Sequence, residues 1–200
     1  MAYPIPTAPA EATTTAGNST FIALAAPAPT VEAARAAIAA ARHRFPDAAH
    51  HCYAFAVGHG ATVTHGSGDD GEPSGTAGRP ILAVVAGSGL GDVCIVVVRY
   101  FGGTKLGTGG LVRAYTEAAK AVLAACPRAL KVVRVTLTGR APYALYDVAR
   151  RAAIAAGGDT GEGTFGADVA MAVTVDEGRA DAVAAAVAEA TAGVVRLAAT

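Results

Sequence analysis

The spacing of apolar residues changes several times along this chain, and each change marks an element. "TFIALAAP" (20–27) reads as a first strand. From Val31 to Arg44 the spacing becomes helical, with Thr30 placed to cap the start and Phe45-Pro46 to stop the run. "HCYAFAV" (51–57) and "ATVTH" (61–65) read as short strands around a His-Gly turn. An acidic, glycine-rich loop at 66–76 leads into a helix near 77–86, which Gly87 or Gly89 ends. "DVCIVVVRYF" (92–101) is apolar without alternation, the mark of a strand buried on both faces. After a glycine turn, Thr108 is placed to cap a helix reaching Ala125, with Leu111, Tyr115, Ala118 and Val122 along one stripe.

Beyond Pro127 the pattern starts afresh. "KVVRVTLTG" (131–139) is a strand, and Pro142 opens a helix closed by Gly157-Gly158. "DTGEGTFG" (159–166) reads as an edge strand and "ADVAMAVTVD" (167–176) alternates cleanly. Asp176 then caps an alanine-rich helix, and "GVVRLAA" (193–199) closes as a strand. The order β-α-β-β-α-β predicts a ferredoxin-like domain. Residues 1–17 are rich in Pro, Ala and Thr without periodicity and predict a flexible tail. The expected organisation is an α+β protein with a tail at 1–17, one domain at 18–129 and a ferredoxin-like domain at 130–200.

Charge narrows the function. Lys and Arg number 16, as do Asp and Glu, so the basic excess of a tight duplex-binding protein is missing. Cys52, Cys94 and Cys126 are odd in number and lack CxxC spacing, which fits reduced thiols in the cytoplasm. No apolar run reaches membrane-spanning length, and the first residues lack the plan of a signal peptide.

The polar chemistry concentrates in "DDGEPSGTAGRPIL" (69–82) and "VVVRYFGGTKLGTGGLVRAY" (96–115). In the first, Asp69, Asp70 and Glu72 suit a divalent cation or acid–base work. They equally suit a self-capping loop in which Asp, Ser and Thr bond neighbouring amides and Arg79 pairs internally. The second runs strand, glycine turn and helix start, a geometry that offers free N–H groups to an anion beside Lys105, Arg99 or Arg113. Tight helix–strand packing explains the same glycines. Walker A spacing is missing. His50, His51, His59 and His65 near Cys52 suggest zinc, but strand alternation sends His50 and His51 to opposite faces, so neither a metal site nor a cofactor is expected.

On these residues the chain resembles the IMPACT/YigZ family, through "FIA" (21–23), "PDAAHHCYAF" (46–55) and the two polar segments. Thr20, His51 and Phe55 stand where that family usually has Arg, Asn and Tyr. The resemblance implies a left-handed βαβ fold over residues 18–128, like the second domain of ribosomal protein S-five and domain IV of elongation factor G. For the second domain it implies a fold similar to domain V of that factor. It also implies a role near translation, since eukaryotic relatives restrain the general-control kinase by competing for a ribosome-associated activator.

The expected function is a non-enzymatic cytoplasmic binding module that meets the ribosome through RNA or an associated protein. Arg99, Lys105 and Arg113 would contact phosphate or acidic groups. Asp70, Glu72, Ser74, Thr76 and Arg79 would complete that surface, with His50 alongside and Thr108 heading the helix. The alternative is an enzyme or binder for a phosphate-bearing small molecule or nucleotide, with Mg²⁺ in the acidic loop. Both require the two segments to fold into one polar face.

Overall fold

Residues 2–199 are described in the computed structural model. They divide into two compact units, one spanning Tyr3–Lys131 and the other holding Ala2 and the residues from Val132 onward. In chain order the first unit carries β1 (Ala2–Pro6), β2 (Ala10–Ala16), β3 (Ser19–Pro27), α1 (Val31–Arg44), β4 (His50–Val57), β5 (Thr64–Gly68), α2 (Gly78–Gly87), β6 (Val93–Tyr100), α3 (Gly107–Ala125) and β7 (Arg128–Val132). The main sheet has the order β2-β3-β6-β4-β5, and every neighbouring pair is antiparallel. β3 and β4 flank β6, so the β3-α1-β4 connection crosses over the central strand.

The non-alternating run in β6 has the predicted cause. Val93, Ile95 and Val97 face α2 and α3, where they meet Ile81, Val85, Tyr115 and Val122. Cys94, Val96 and Val98 face α1 and meet Ala34, Ile38 and Ala41. All six are essentially inaccessible to solvent, and each buried valine contributes roughly 1.5–3 kcal/mol relative to exposure. α1 begins and ends where the sequence predicts, with the Thr30 hydroxyl accepting from the Ala33 amide at 3.1 Å.

The expected flexible tail at 1–17 is instead built into sheets. β2 pairs with β3 from Ala10↔Ala25 to Ala16↔Ser19, and Ala10, Ala12 and Ala16 pack on the core. β1 pairs with β7, and Tyr3 is buried with its hydroxyl donating to Asp92 at 3.1 Å. Alanine on one face and threonine on the other is too weak a hydropathy contrast to read as alternation. Three further expectations also change. "ATVTH" splits into a 3-10 turn (Gly60–Thr62) and β5. "KVVRVTLTG" splits into β7 and β8. Thr108 lies inside α3, whose N-cap is Leu106 with no side-chain cap bond.

The second unit carries β8 (Arg134–Ala141), α4 (Tyr143–Ala155), β9 (Asp159–Thr160), β10 (Thr164–Phe165), β11 (Val169–Asp176), α5 (Ala180–Ala190) and β12 (Ala198–Ala199). Its sheet runs β10-β11-β8-β12, with β9 also on β11. The two central strands are the first and third of the ferredoxin-like plan, as the sequence predicts. Leu137, Val173 and Val175 meet Ala149, Ala153, Val183 and Val187 of the two helices. Asp176 precedes a short 3-10 turn rather than capping α5 with its side chain, and the described last strand is Ala198–Ala199, preceded by Val195 and Leu197 in the core.

Candidate functional site

The acidic loop is first a structural device. Asp69 accepts from the Gly75, Ala77 and Gly78 amides at 2.7–3.0 Å, so it caps α2 from outside the helix. Burial alone would raise its carboxyl pKa, but those three amides and the nearby Arg79 charge hold it below the ordinary carboxylate range. Asp70 sits at φ 44°, in the left-handed region that Asp tolerates better than most residues. Its carboxylate accepts from the His51 amide and pairs with Arg42 of α1, each at 2.7 Å. Its carbonyl oxygen lies 2.8 Å from His50 Nδ1. A carbonyl can only accept, so this contact requires a proton on Nδ1. Thr76 is buried and donates to the Pro73 carbonyl at 2.6 Å. With Asp69 and Asp70 committed to protein partners, the Mg²⁺ role weighed for this loop loses two of its three carboxylates.

Glu72 behaves differently. It leaves the loop, becomes buried, and joins the two polar segments. Its Oε1 accepts from Arg99 Nη1 at 2.7 Å and from the Tyr115 hydroxyl at 2.8 Å, with His50 Nε2 3.9 Å away. Arg99 Nη2 donates to Ser19 Oγ at 3.2 Å, and its Nε is buried without a partner among the described residues. The guanidinium lies 5.5 Å from the Phe21 ring and 5.4 Å from the Phe101 ring. Beneath Tyr115, Cys52 Sγ lies 3.3 Å from the phenol oxygen. Burial pushes the Cys52 thiol up to about 12 and the Tyr115 phenol well above its ordinary value, so both stay protonated and unreactive.

Over this buried network opens a cleft of ≈ 360 Å³ lined by Glu72, Pro73, Arg99, Phe101, Lys105, Leu106, Gly107, Thr108 and Leu111. The two segments therefore do meet, at Glu72–Pro73 and the turn before α3. Lys105 and Thr108 are exposed at its mouth. The first turn of α3 has neither a side-chain cap nor an acidic residue, so its N–H groups are open to an anion.

The predicted residues thus sort into several places. Glu72, Arg99, Lys105 and Thr108 share the cleft, although Arg99 is 4% exposed and bound to Glu72 rather than presented to a partner. Asp70 reaches Arg42 of α1, while His50 lies between the Asp70 carbonyl and Glu72. Ser74 and Arg79 are exposed outside the cleft. Arg113 is exposed in a separate groove with Thr14, Thr15 and Glu117. Two residues escaped the sequence reading. Phe101 follows the apolar β6 run and reads as its last core position, yet it is exposed; Tyr115 reads as plain core, yet its hydroxyl holds Glu72.

Comparison with known proteins follows the same division. The family model for the Impact N-terminal domain matches residues 17–123, and a domain of unknown function (DUF1949) matches residues 140–194. The IMPACT family member YigZ of Escherichia coli (strain K12) is 49% identical over 112 residues, 56% of this chain and 55% of that protein. A Thermus thermophilus IMPACT family member is 46% identical over 126 residues, 63% and 66% of the two chains. The matched stretches thus span about half to two thirds of these relatives' length. A solved structure described as a hypothetical protein has a TM-score of 0.70 at 34% identity, covering 100% of this chain and 97% of its own.

Proposed function

This chain belongs to the IMPACT family, and from that premise we propose that it is a non-enzymatic cytoplasmic module which binds the translation machinery through the cleft of its first unit. The resemblance to a family whose eukaryotic relatives act near translation supplies the setting. The observation that carries the reading is the convergence of Lys105, the uncapped start of α3 and the Glu72–Arg99 pair on one cleft. Glu72 sits at that cleft with its charge matched by Arg99, so the exposed Lys105 and the helix dipole leave the mouth positive. An RNA phosphate or a partner's carboxylate fits such a mouth. A strong site would need several more cations, so with zero formal charge the contact is expected to be weak and weakened further by salt.

Enzymatic chemistry has less support. A cleft of this size lies within the range of small-ligand sites, but Asp69 and Asp70 are taken up by amides and Arg42. The thiol and phenol nearest the cleft are held protonated.

Co-sedimentation with ribosomes at low and moderate salt tests the reading. Lys105→Ala is expected to weaken association several-fold, and Arg113→Ala, in its separate groove, to leave it unchanged. Equal co-sedimentation of wild type and Lys105→Ala at every salt concentration would remove the cleft as the contact.

A further inference from the structure

Between Tyr3 and Lys131, Phe101 is the one Phe or Tyr side chain among the described residues that is exposed, at 51%. An isolated surface phenylalanine needs no explanation, but this one lines the cleft and is held in place. The Arg99 guanidinium stands over its ring at 5.4 Å and is itself fixed by Glu72 and Ser19. One face of the ring is thereby covered by a cation that cannot move away, while the side chain stays half open to solvent. Lys105 and the first turn of α3 lie on the same cleft.

We infer that the cleft takes one nucleotide of single-stranded RNA, with the base stacked on Phe101 and its phosphate at Lys105 and the amides of Gly107 and Thr108. This inference rests on the proposed translation-machinery reading and gives it a ligand. A flat, polarised aromatic surface beside an exposed cation is what single-strand binders present, because every base has a stacking face. A cleft of ≈ 360 Å³ is of a size to hold one nucleotide, and a base stacked on Phe101 must first leave its own duplex stack. The balanced charge of the chain also argues against duplex binding, which is carried by many phosphate contacts.

The test is fluorescence anisotropy of the full chain with a mixed-sequence single-stranded RNA octamer and with the same octamer as a duplex. Single strands are expected to bind more tightly than the duplex. Phe101→Ala should weaken that binding about 5- to 150-fold, the usual cost of losing one stacked base, while Phe101→Tyr stays within about twofold of wild type. The log–log salt slope should correspond to one or two phosphates, and Lys105→Ala should reduce it by about 0.7. Single-strand binding that ignores Phe101→Ala, or a duplex bound as tightly as the single strand, would overturn the inference and leave the translation reading standing. Ribosome co-sedimentation by a protein that binds neither RNA would also overturn it, and would assign the cleft to a protein partner. No binding to RNA or ribosomes would end both readings.

Discussion

Replacing Arg99 by Met should destabilise the first unit by about 3–5 kcal/mol, the usual consequence of leaving one charge of a buried pair alone. Glu72 and Arg99 side chains are 3% and 5% exposed and their charged atoms are 2.7 Å apart. Removing the guanidinium leaves the Glu72 carboxylate with the Tyr115 hydroxyl, one neutral donor at 2.8 Å. It also leaves Ser19 Oγ with only the Gly102 amide as donor and uncovers one face each of Phe21 and Phe101. Glu72→Leu in the wild-type background should cost a similar amount by stranding Arg99. The double variant should cost clearly less than the two singles added, because it buries no unpaired charge. Urea unfolding followed by hydrogen exchange at the β6 amides reports this unit separately from the ferredoxin-like one. With an m-value of about 2 kcal/mol/M, a loss of about 4 kcal/mol lowers the midpoint by about 2 M. Single variants that each cost under about 1 kcal/mol, or strict additivity in the double, would refute the idea that this pair is a buried, coupled unit.

Two further outcomes follow from other buried groups. Burial alone would raise the Asp92 carboxyl, but Lys131 Nζ at 2.6 Å, the Gly58 amide and the Tyr3 hydroxyl hold it below its ordinary 3.8. Its contribution is therefore complete above about pH 3.8 and disappears as pH falls through the depressed folded value. The Lys131 pKa is raised above 10.5 by the same contact, so its share is complete below about pH 10.5 and disappears above it. Asp92→Asn should flatten the acid limb of a melting-temperature profile, and an unchanged limb would exclude Asp92 as its source. Burial also pushes the Cys52 and Cys94 thiols up to about 12. Neither should react with iodoacetamide at pH 8 until urea unfolds the chain, and labelling of the native protein at Cys52, read by mass spectrometry, would contradict the buried network under the cleft.

Most of the fold was legible because burial and hydropathy agree along β6, α1 and α3. Six apolar residues in a row can be satisfied only by a strand covered on both sides, and that strand orders the sheet around it. The first sixteen residues failed to show as strands for the opposite reason. β2 reads Ala-Glu-Ala-Thr-Thr-Thr-Ala, so its buried and exposed faces differ by little more than a hydroxyl. What places it is the register with β3 and the fit of alanines on the core, both of which are long-range. The candidate site was legible in composition and only partly in geometry. Sequence spacing singled out Glu72, Arg99, Lys105 and Thr108, and these four line one cleft. It could not show that Asp69 turns back to the start of α2, that Asp70 crosses to Arg42, or that Arg113 faces a different groove. Each of those outcomes is decided by where a side chain nineteen or more residues away, or a helix start, happens to lie.

The arrangement also explains why one segment holds both charged pairs and open cations. Arg99 is the last buried residue of β6, so its charge must be matched, and Glu72 is brought to it by the loop that Asp69 and Asp70 fasten. Two residues further on, Phe101 has left the sheet and Lys105 has reached solvent, before α3 begins at Gly107. Gly102 permits that exit: a Cβ there would run into the Asn18 carbonyl, so the chain passes close against the β2–β3 turn and emerges beside it. A rigid buried pair followed at once by a close backbone crossing fixes where the exposed ring and lysine stand. Preorganisation of that kind lowers the ordering cost of binding, and on the proposed reading it would let a chain without net charge hold an anionic partner with few cations.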